Sequence, residues 1–526
     1  LTSHLAILPI LLPLAVSALL LLVAKRRRLE AGLALAGSAA LFVLAIALVF
    51  ATDGPGFAAT YRLGNWPAPM AIVLVADRLS ALMVLLASTL GLLNAAFAIT
   101  RWSRIGPYYQ VLSQLLLMGL NGAFLTGDLF NLFVFFEILL AASYGLLLHG
   151  SGPKRVVSGL HYIVINLAAS LLFLIGVSLI FGVTGTLNMA VLASLIPDLP
   201  PPTRNLFHAG AAILGVAFLV KAAAWPLGFW LPRTYDAANP PSAAMFAIMT
   251  KVGIYAILRL GLLCFGVDAG PSAGFGWGWV FVAGLMTIAV GLVGMLGVRD
   301  LGRMAGYSVL VSAGTLLAAM TFRNEAVLTG ALLYMMISTL AAAAFYLLGG
   351  LIGADGSDEF EEPSLLESYD PEGDGLFTEE DERAVSLTAP VGILSAGFLI
   401  CTLLIAGIPP LPGFLAKVAM IAPLLEAPGG PFPGAAIVLT VLVITASLLS
   451  LIALARAGIQ IWWAEPDRIM PAIRVGEAAP VALLLLVLLI LTFTIEGPLG
   501  FLQRTASQAL EPAQYIESVL GPGGRS

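Results

Sequence analysis

Three of the five lysines in this chain lie inside apolar stretches: Lys221 in FLVKAAAWP, Lys251 in AIMTKVGIYAIL and Lys417 in GFLAKVAMIAPLL. The other two, Lys25 and Lys154, fall in polar breaks. One carboxylate joins the buried set, Glu137 in NLFVFFEILLAASYGLLL. A charge at the centre of a bilayer costs from about 3 to more than 10 kcal/mol, so such residues face a protein interior or a water path. An unpaired glutamate there takes up a proton or finds a cation, and a lysine faces the mirror problem. A Glu137–Lys221 pair at membrane depth is therefore a proton switch: separating the two discharges the lysine, and closing the pair recharges it. The structural alternative is a static ion pair that fixes helix packing. With Lys251 and Lys417 added, the chemistry these residues support is proton or ion conduction.

Weaker polar candidates accompany them. His161, Asn166 and Ser170 recur at helical spacings of four and five, as a water path or as polar contacts between helices. Asp128 in TGDLFN reads as a helix cap. Asp77 and Arg78 read as an interfacial pair, and Arg259 as a side chain reaching outward from a helix end. The sequence contains no Walker A motif, metal-spaced His/Cys cluster or heme-ligation pattern. No cofactor or metal is expected, and any driving force is an ion gradient or a redox partner in another subunit. Cys264 and Cys401, both in apolar runs, read as core residues.

The elements that carry these residues follow from composition. The 526 residues are 60% hydrophobic and only 10% charged, against roughly 25% charged in soluble domains. With about 20 apolar residues needed per span, fourteen segments qualify: 4–24, 31–51, 71–98, 107–126, 129–149, 156–181, 206–231, 241–265, 277–298, 303–322, 328–352, 386–424, 432–456 and 479–500. The expected fold is all-α and integral to the membrane. Most arginines and lysines between segments, among them Arg26 to Arg28, Arg101, Arg104, Lys154, Arg155, Arg233, Arg299, Arg303 and Arg456, fall in odd-numbered loops. Positive charge collects on the cytoplasmic side, so both termini are expected on the outer, periplasmic side of the cell membrane. There is no basic patch for nucleic acid; the surroundings are membrane lipid.

Two segments carry helix breakers beside a lysine. Pro226 follows Lys221 in the seventh; Pro409, Pro410 and Pro412 precede Lys417 in the twelfth. Proline removes a backbone donor and clashes with the preceding turn, and broken backbone at membrane depth is tolerated only inside protein or beside water. Two such segments, five helices apart, point to an internal repeat. The acidic stretch 353–385 lacks an apolar period and reads as a cytoplasmic surface loop, with docking to a partner as the alternative.

The stretch LVKAAAWPLGFWLPRTYDAANPPSAAMFAIMTKVGIYAILRL (219–260), with GVTGTLNMA (182–190), the Glu137 helix and LIAGIPPLPGFLAKVAMI (404–421), resembles the antiporter-like membrane subunits of respiratory complex I, membrane-bound hydrogenases and Mrp-type antiporters. Within that superfamily it most resembles the D subunit of the Mrp (Pha) Na+/H+ antiporter; WLPRTYDAA, with Tyr235 where complex I relatives often have histidine, and the acidic insert support this. The resemblance implies two inverted five-helix units, each with a broken helix. It implies Glu137 and Lys221 as a proton-handling pair, Lys251 as central relay and Lys417 as terminal relay. The implied organisation is helices 1–3 over 1–106, a first bundle over 107–265, a second over 266–456, and a final helix with a tail over 457–526. The implied partners are the A, B, C, E, F and G subunits, and the transported ions H+ and Na+. One departure stands out. Relatives often carry histidines in the tenth and eleventh helices; here only Ser308, Ser312, Tyr334 and Ser338 are available. Hydroxyls hold water but do not store a proton near neutral pH, so a Lys251-to-Lys417 link needs ordered water. The expected function is a proton-translocating subunit of a secondary antiporter rather than an enzyme. The rivals are a proton-pumping subunit of a quinone-reducing or hydrogenase complex and a non-conducting scaffold.

Overall fold

A computed structural model describes residues 2–24, 26–54, 59–67, 71–106, 108–353, 389–426, 429–463 and 474–521. The acidic insert, apart from Gly353, lies outside the described residues, as does Lys25. Eleven helices among those described are long and apolar enough to cross a membrane, from Arg27–Thr52 to Val475–Phe493. The most deeply enclosed are Arg78–Thr100, Leu301–Met320, Glu325–Ile352 and the stretch Pro240–Phe265. They form the middle of the molecule, where apolar helices with little lipid contact can hold polar groups. Small residues let them approach. Any Cβ on Gly253 would lie 2.6 Å from the backbone nitrogen of Ala222 and 3.0 Å from the carbonyl carbon of Lys221. The lysine helices therefore pack backbone to backbone at that point.

Three features depart from the sequence reading. First, the helical fold carries one short strand pair among the described residues. Ala59–Arg62 and Val73–Ala76 pair antiparallel, Ala59 opposite Ala76 and Arg62 opposite Val73. The second strand leads directly into Asp77, whose carboxylate caps the helix Arg78–Thr100 through the Ser80 backbone N–H, 2.8 Å. An apolar run of strand plus helix has the same hydropathy as one longer helix, which is why hydropathy alone starts the third segment at 71. Second, the eighth segment is interrupted: Pro240–Phe246 and Met249–Phe265 are separate helices, so Lys251 occupies a first turn. Third, the tail is helical. Glu496–Leu510 and Pro512–Leu520 pack back onto the body, held by Arg504 on Asp53 at 2.8 Å and by Arg62 on the Val519 carbonyl at 2.8 Å.

The loops sort into two faces. On one, the strand pair, the turn at Gly127 and the stretch around Asn188 are joined by backbone bonds from Gly127 to Val73 (2.8 Å) and from Met189 to Gly127 (2.9 Å), and the C-terminal helix lies beside them. On the other, Asn239 donates to the His149 carbonyl at 3.1 Å and Arg155 to the Ala237 carbonyl at 3.2 Å.

The buried lysine row

Glu137 is half-buried on the helix Leu129–Leu147 and accepts a hydrogen bond from Ser170 on the helix Pro153–Thr184. Lys221, only 7% exposed, is the last residue of Pro201–Lys221 and donates to Asn166 Oδ1 at 3.3 Å. Its ammonium also lies 6.0 Å from the Phe136 ring centroid. No direct ion pair joins Glu137 to Lys221 among the described residues. Asn166 and Ser170, one helical turn apart on the same face, stand between them. Glu137 and Lys221 are thus each bonded to a polar side chain of the same helix.

The chain breaks immediately after Lys221 and resumes as helix only at Leu231–Ala237. A break at this depth strands backbone groups that must be satisfied inside the protein. The Trp225 N–H does so by donating to the Thr287 hydroxyl at 2.8 Å. Pro226 faces outward, into a cavity of about 440 Å³ lined by His161, Trp225 and Arg233. His161 is exposed on the outer side of its helix and bonds the Val157 carbonyl at 2.8 Å, apart from Glu137 and Lys221.

Lys251, 1% exposed, donates to Ser312 Oγ at 2.7 Å. Ser312 lies on Leu301–Met320, where Thr315, one turn further, faces the Tyr334 hydroxyl. The Tyr334 ring in turn lies 6.0 Å from the Lys417 ammonium. Hydroxyls thus line the interval between the two lysines. Ser308 and Ser338, like Ser312 and Thr315, each donate to a carbonyl on the preceding turn of their own helix. Tyr235 donates to the Phe246 carbonyl at 2.8 Å, bracing the interruption before Lys251.

Lys417 follows the break containing Pro409 and Pro410, on the helix Pro412–Glu426. Its ammonium reaches back to the Ala406 carbonyl at 2.8 Å, the end of the helix Ala389–Ala406, and to Ser447 Oγ at 2.8 Å. The last carbonyls of a helix lack intrahelical partners and carry the negative end of its dipole, so a cation there is held without a carboxylate. Gly407 makes room: it has φ +71°, and a Cβ would lie 2.8 Å from the Lys417 nitrogen.

Residues 126–445 match the family described as NADH:quinone oxidoreductase/Mrp antiporter, transmembrane. The chain belongs to this family. A protein of Rhizobium meliloti (strain 1021), named as the probable D subunit of a K(+)/H(+) antiporter, is 49% identical over 531 residues, covering 98% of each chain. The D subunit of the Na(+)/H(+) antiporter of Alkalihalophilus pseudofirmus is 34% identical, over 98% of this chain and 99% of its own. A chain in the structure of the Mrp complex from Dietzia sp. DQ12-45-1b superposes with a TM-score of 0.83 at 27% identity, covering 99% of both chains.

For a chain of the NADH:quinone oxidoreductase/Mrp antiporter family, several partners of the row are not legible in sequence. Ser447 and Thr315 are small hydroxyls in apolar helices with no signal of their own. Asn166 and Ser170 are visible by spacing, without a sign of what they touch. Two other readings are corrected. Arg259 does not reach outward: it is 8% exposed and bonds Asp77 Oδ1 at 2.7 Å, with Tyr255 at 3.1 Å. Asp77 is therefore the partner of Arg259, and Arg78 pairs instead with Asp53 at 3.3 Å. A separation of 182 residues hides the Asp77–Arg259 pair in sequence. Asp128 caps its helix through the Asn131 N–H at 2.9 Å.

Proposed function

We propose that this chain is the D-type, proton-translocating subunit of a multisubunit monovalent cation/H+ antiporter. The observation that carries this reading is the row itself. Glu137, Lys221, Lys251 and Lys417 are enclosed in the membrane-spanning part, and each lysine is housed by neutral oxygens rather than by a directly bonded carboxylate. A lysine held in this way gains or loses its proton without breaking a strong ion pair, and interacting sites titrate as a set rather than singly. In the relay, Glu137 and Lys221 exchange charge across Asn166 and Ser170. Lys251 takes the central position, and water held by Ser312, Thr315 and Tyr334 continues to Lys417.

The fourteen spans are the eleven long helices plus Leu8–Val23, Tyr109–Leu125 and the interrupted pair Ala389–Ala406 and Pro412–Glu426. Inverted bundles over 107–265 and 266–456 each contain a proline-broken helix beside a lysine, Lys221 in the first and Lys417 in the second. Helices 1–3 over 1–106 and the region 457–526 complete the chain. The arginine-rich face is cytoplasmic and both termini are outside. The partners are the A, B, C, E, F and G subunits. The exported cation is Na+ or K+; the two full-length relatives above carry the names of different ions, so both ions belong in the assay.

The test is cation-driven pH change in everted vesicles from a host lacking its own antiporters and expressing all partner subunits. Lys221→Ala and Glu137→Gln are expected to abolish exchange with the complex assembled. Wild-type exchange in both variants would overturn the relay and leave the chain as scaffold. Co-purification with flavin or Fe–S subunits would favour the redox-driven rival.

A further inference from the structure

On the arginine-rich face a second group of titratable residues stands apart from the lysine row. Asp236, at the end of Leu231–Ala237, has a side chain only 5% exposed. Lys154 approaches its Oδ2 at 2.9 Å from the helix Pro153–Thr184, and Arg303 at 3.4 Å from Leu301–Met320. The Asp300 carboxyl stands with Asp236 on the wall of one cavity and caps the latter helix by accepting from the Gly302 N–H at 2.9 Å. A second carboxylate nearby disfavours the ionised form of Asp236. They open onto a cavity of about 400 Å³ whose wall includes Arg155, Arg299, Tyr235 and Tyr346.

The inner wall of that cavity carries an independent signal. The Tyr346 hydroxyl is buried and has no hydrogen-bond partner among the described residues. A buried hydroxyl without a partner is costly, and native structures satisfy such groups with ordered water. The Tyr346 ring lies 6.3 Å from that of Tyr235, whose hydroxyl bonds the Phe246 carbonyl at the interruption that precedes Lys251. The cavity wall thus shares Tyr235 with the interruption that precedes the Lys251 helix.

We propose that the Asp236–Asp300 pair is the site at which this subunit exchanges protons with water on its arginine-rich face, and that water at the Tyr346 hydroxyl connects it to the lysine row. A proton from bulk water binds the Asp236 carboxylate and leaves it to the water beside Tyr346; only O–H bonds form and break. Burial first, then the Asp300 carboxyl, push Asp236 up to about 6, against the pull of Lys154. Its carboxyl is thus protonated below that pH and ionised above it, so loading and unloading both occur around it. This inference rests on the antiport reading for its role and on the acid pair for its chemistry.

The experiment uses the intact multisubunit complex with Asp236→Asn, Asp236→Glu and Asp300→Asn. Asparagine at 300 still caps the helix, so that variant breaks the pair without unfolding the segment. Infrared pH-difference spectra of the wild type are expected to contain a carboxyl band titrating near pH 6, absent in Asp236→Asn and moved to lower pH in Asp300→Asn. In vesicles, Asp236→Asn is expected to slow exchange about tenfold or more above that pH, with a smaller loss below it, and Asp236→Glu to recover most of the rate. No change of the carboxyl titration in either Asn variant, or pH profiles that superimpose on wild type, overturns the proposal. A wild-type complex that carries no exchange at all, yet shows the band and loses it in Asp236→Asn, would instead overturn the antiport reading and leave the acid pair standing.

Discussion

At the scale of single residues, the three buried lysines solve one problem in three ways. Lys221 uses an amide oxygen, Lys251 a serine hydroxyl, and Lys417 the open end of a half-helix together with Ser447. Among the described residues, none has a carboxylate within direct bonding distance. Ser170 and Asn166, on one helix, are the direct partners of Glu137 and Lys221. A hydrogen bond to a charged group is worth about 1.5–3 kcal/mol, so Ser170→Ala is expected to slow exchange by roughly tenfold or more while Ser170→Thr keeps it. Rates in vesicles, normalised to assembled complex, check this; equal rates in Ser170→Ala and wild type would remove the hydroxyl from the relay.

At the scale of elements, the breaks matter more than the spans. Each interruption leaves backbone groups that recruit a side chain: Thr287 for the Trp225 N–H, Tyr235 for the Phe246 carbonyl, and Lys417 for the Ala406 carbonyl. The helix Met249–Phe265 reaches the first of these breaks because residue 253 has no side chain. Gly253→Ala would press a methyl into the backbone of Phe218, Lys221 and Ala222 at 2.6–3.0 Å, where nothing flexible can give way. Overpacking of this kind costs about 1–3 kcal/mol. The variant is expected to melt at lower temperature as purified complex and to lose exchange out of proportion to its loss of assembly, because the Lys221 and Lys251 backbones are displaced relative to each other. A melting temperature and rate both at wild-type values would show that the contact is not limiting. The prolines are legible markers for the breaks after Lys221 and before Lys417. The break before Lys251 is not legible, since residues 247 and 248 carry no breaker.

At the scale of the whole molecule, the two faces differ in charge and in construction. Lys154, Arg155, Asp236, Arg299, Asp300 and Arg303 gather around one cavity. On the opposite face the strand pair, Asp77 with Arg259, and the C-terminal helices form a cap in which the Arg259 guanidinium lies 5.2 Å from the Tyr515 ring. Arginine and lysine accumulate on the cytoplasmic side of membrane proteins. A single cysteine placed at Ser151 is therefore expected to react with an impermeant thiol reagent only in everted vesicles, and one at Asp268 only in right-side-out cells. The reverse pattern would invert the proposed topology and move the Asp236–Asp300 exchange site to the outer face.

Composition and hydropathy alone determined that this is a membrane protein built of apolar helices. A charge among apolar residues is costly wherever it is placed, so the same reading singled out Glu137, Lys221, Lys251 and Lys417 without any coordinates. Prolines beside two of them marked the interrupted helices for the same local reason, a missing donor. What touches each charge was decided only by the tertiary structure. Asn166, Ser170, Ser312 and Ser447 act through distances across helices, and Asp77 finds Arg259 rather than its neighbour Arg78 because a strand pair and a cap turn it inward. Asp236 and Asp300 are ordinary loop acids in sequence; packing of the short helix Leu231–Ala237 against Leu301–Met320 brings their carboxyls together. Burial is a property of single residues that hydropathy reports, whereas partnership is a property of pairs, which only the folded chain brings together.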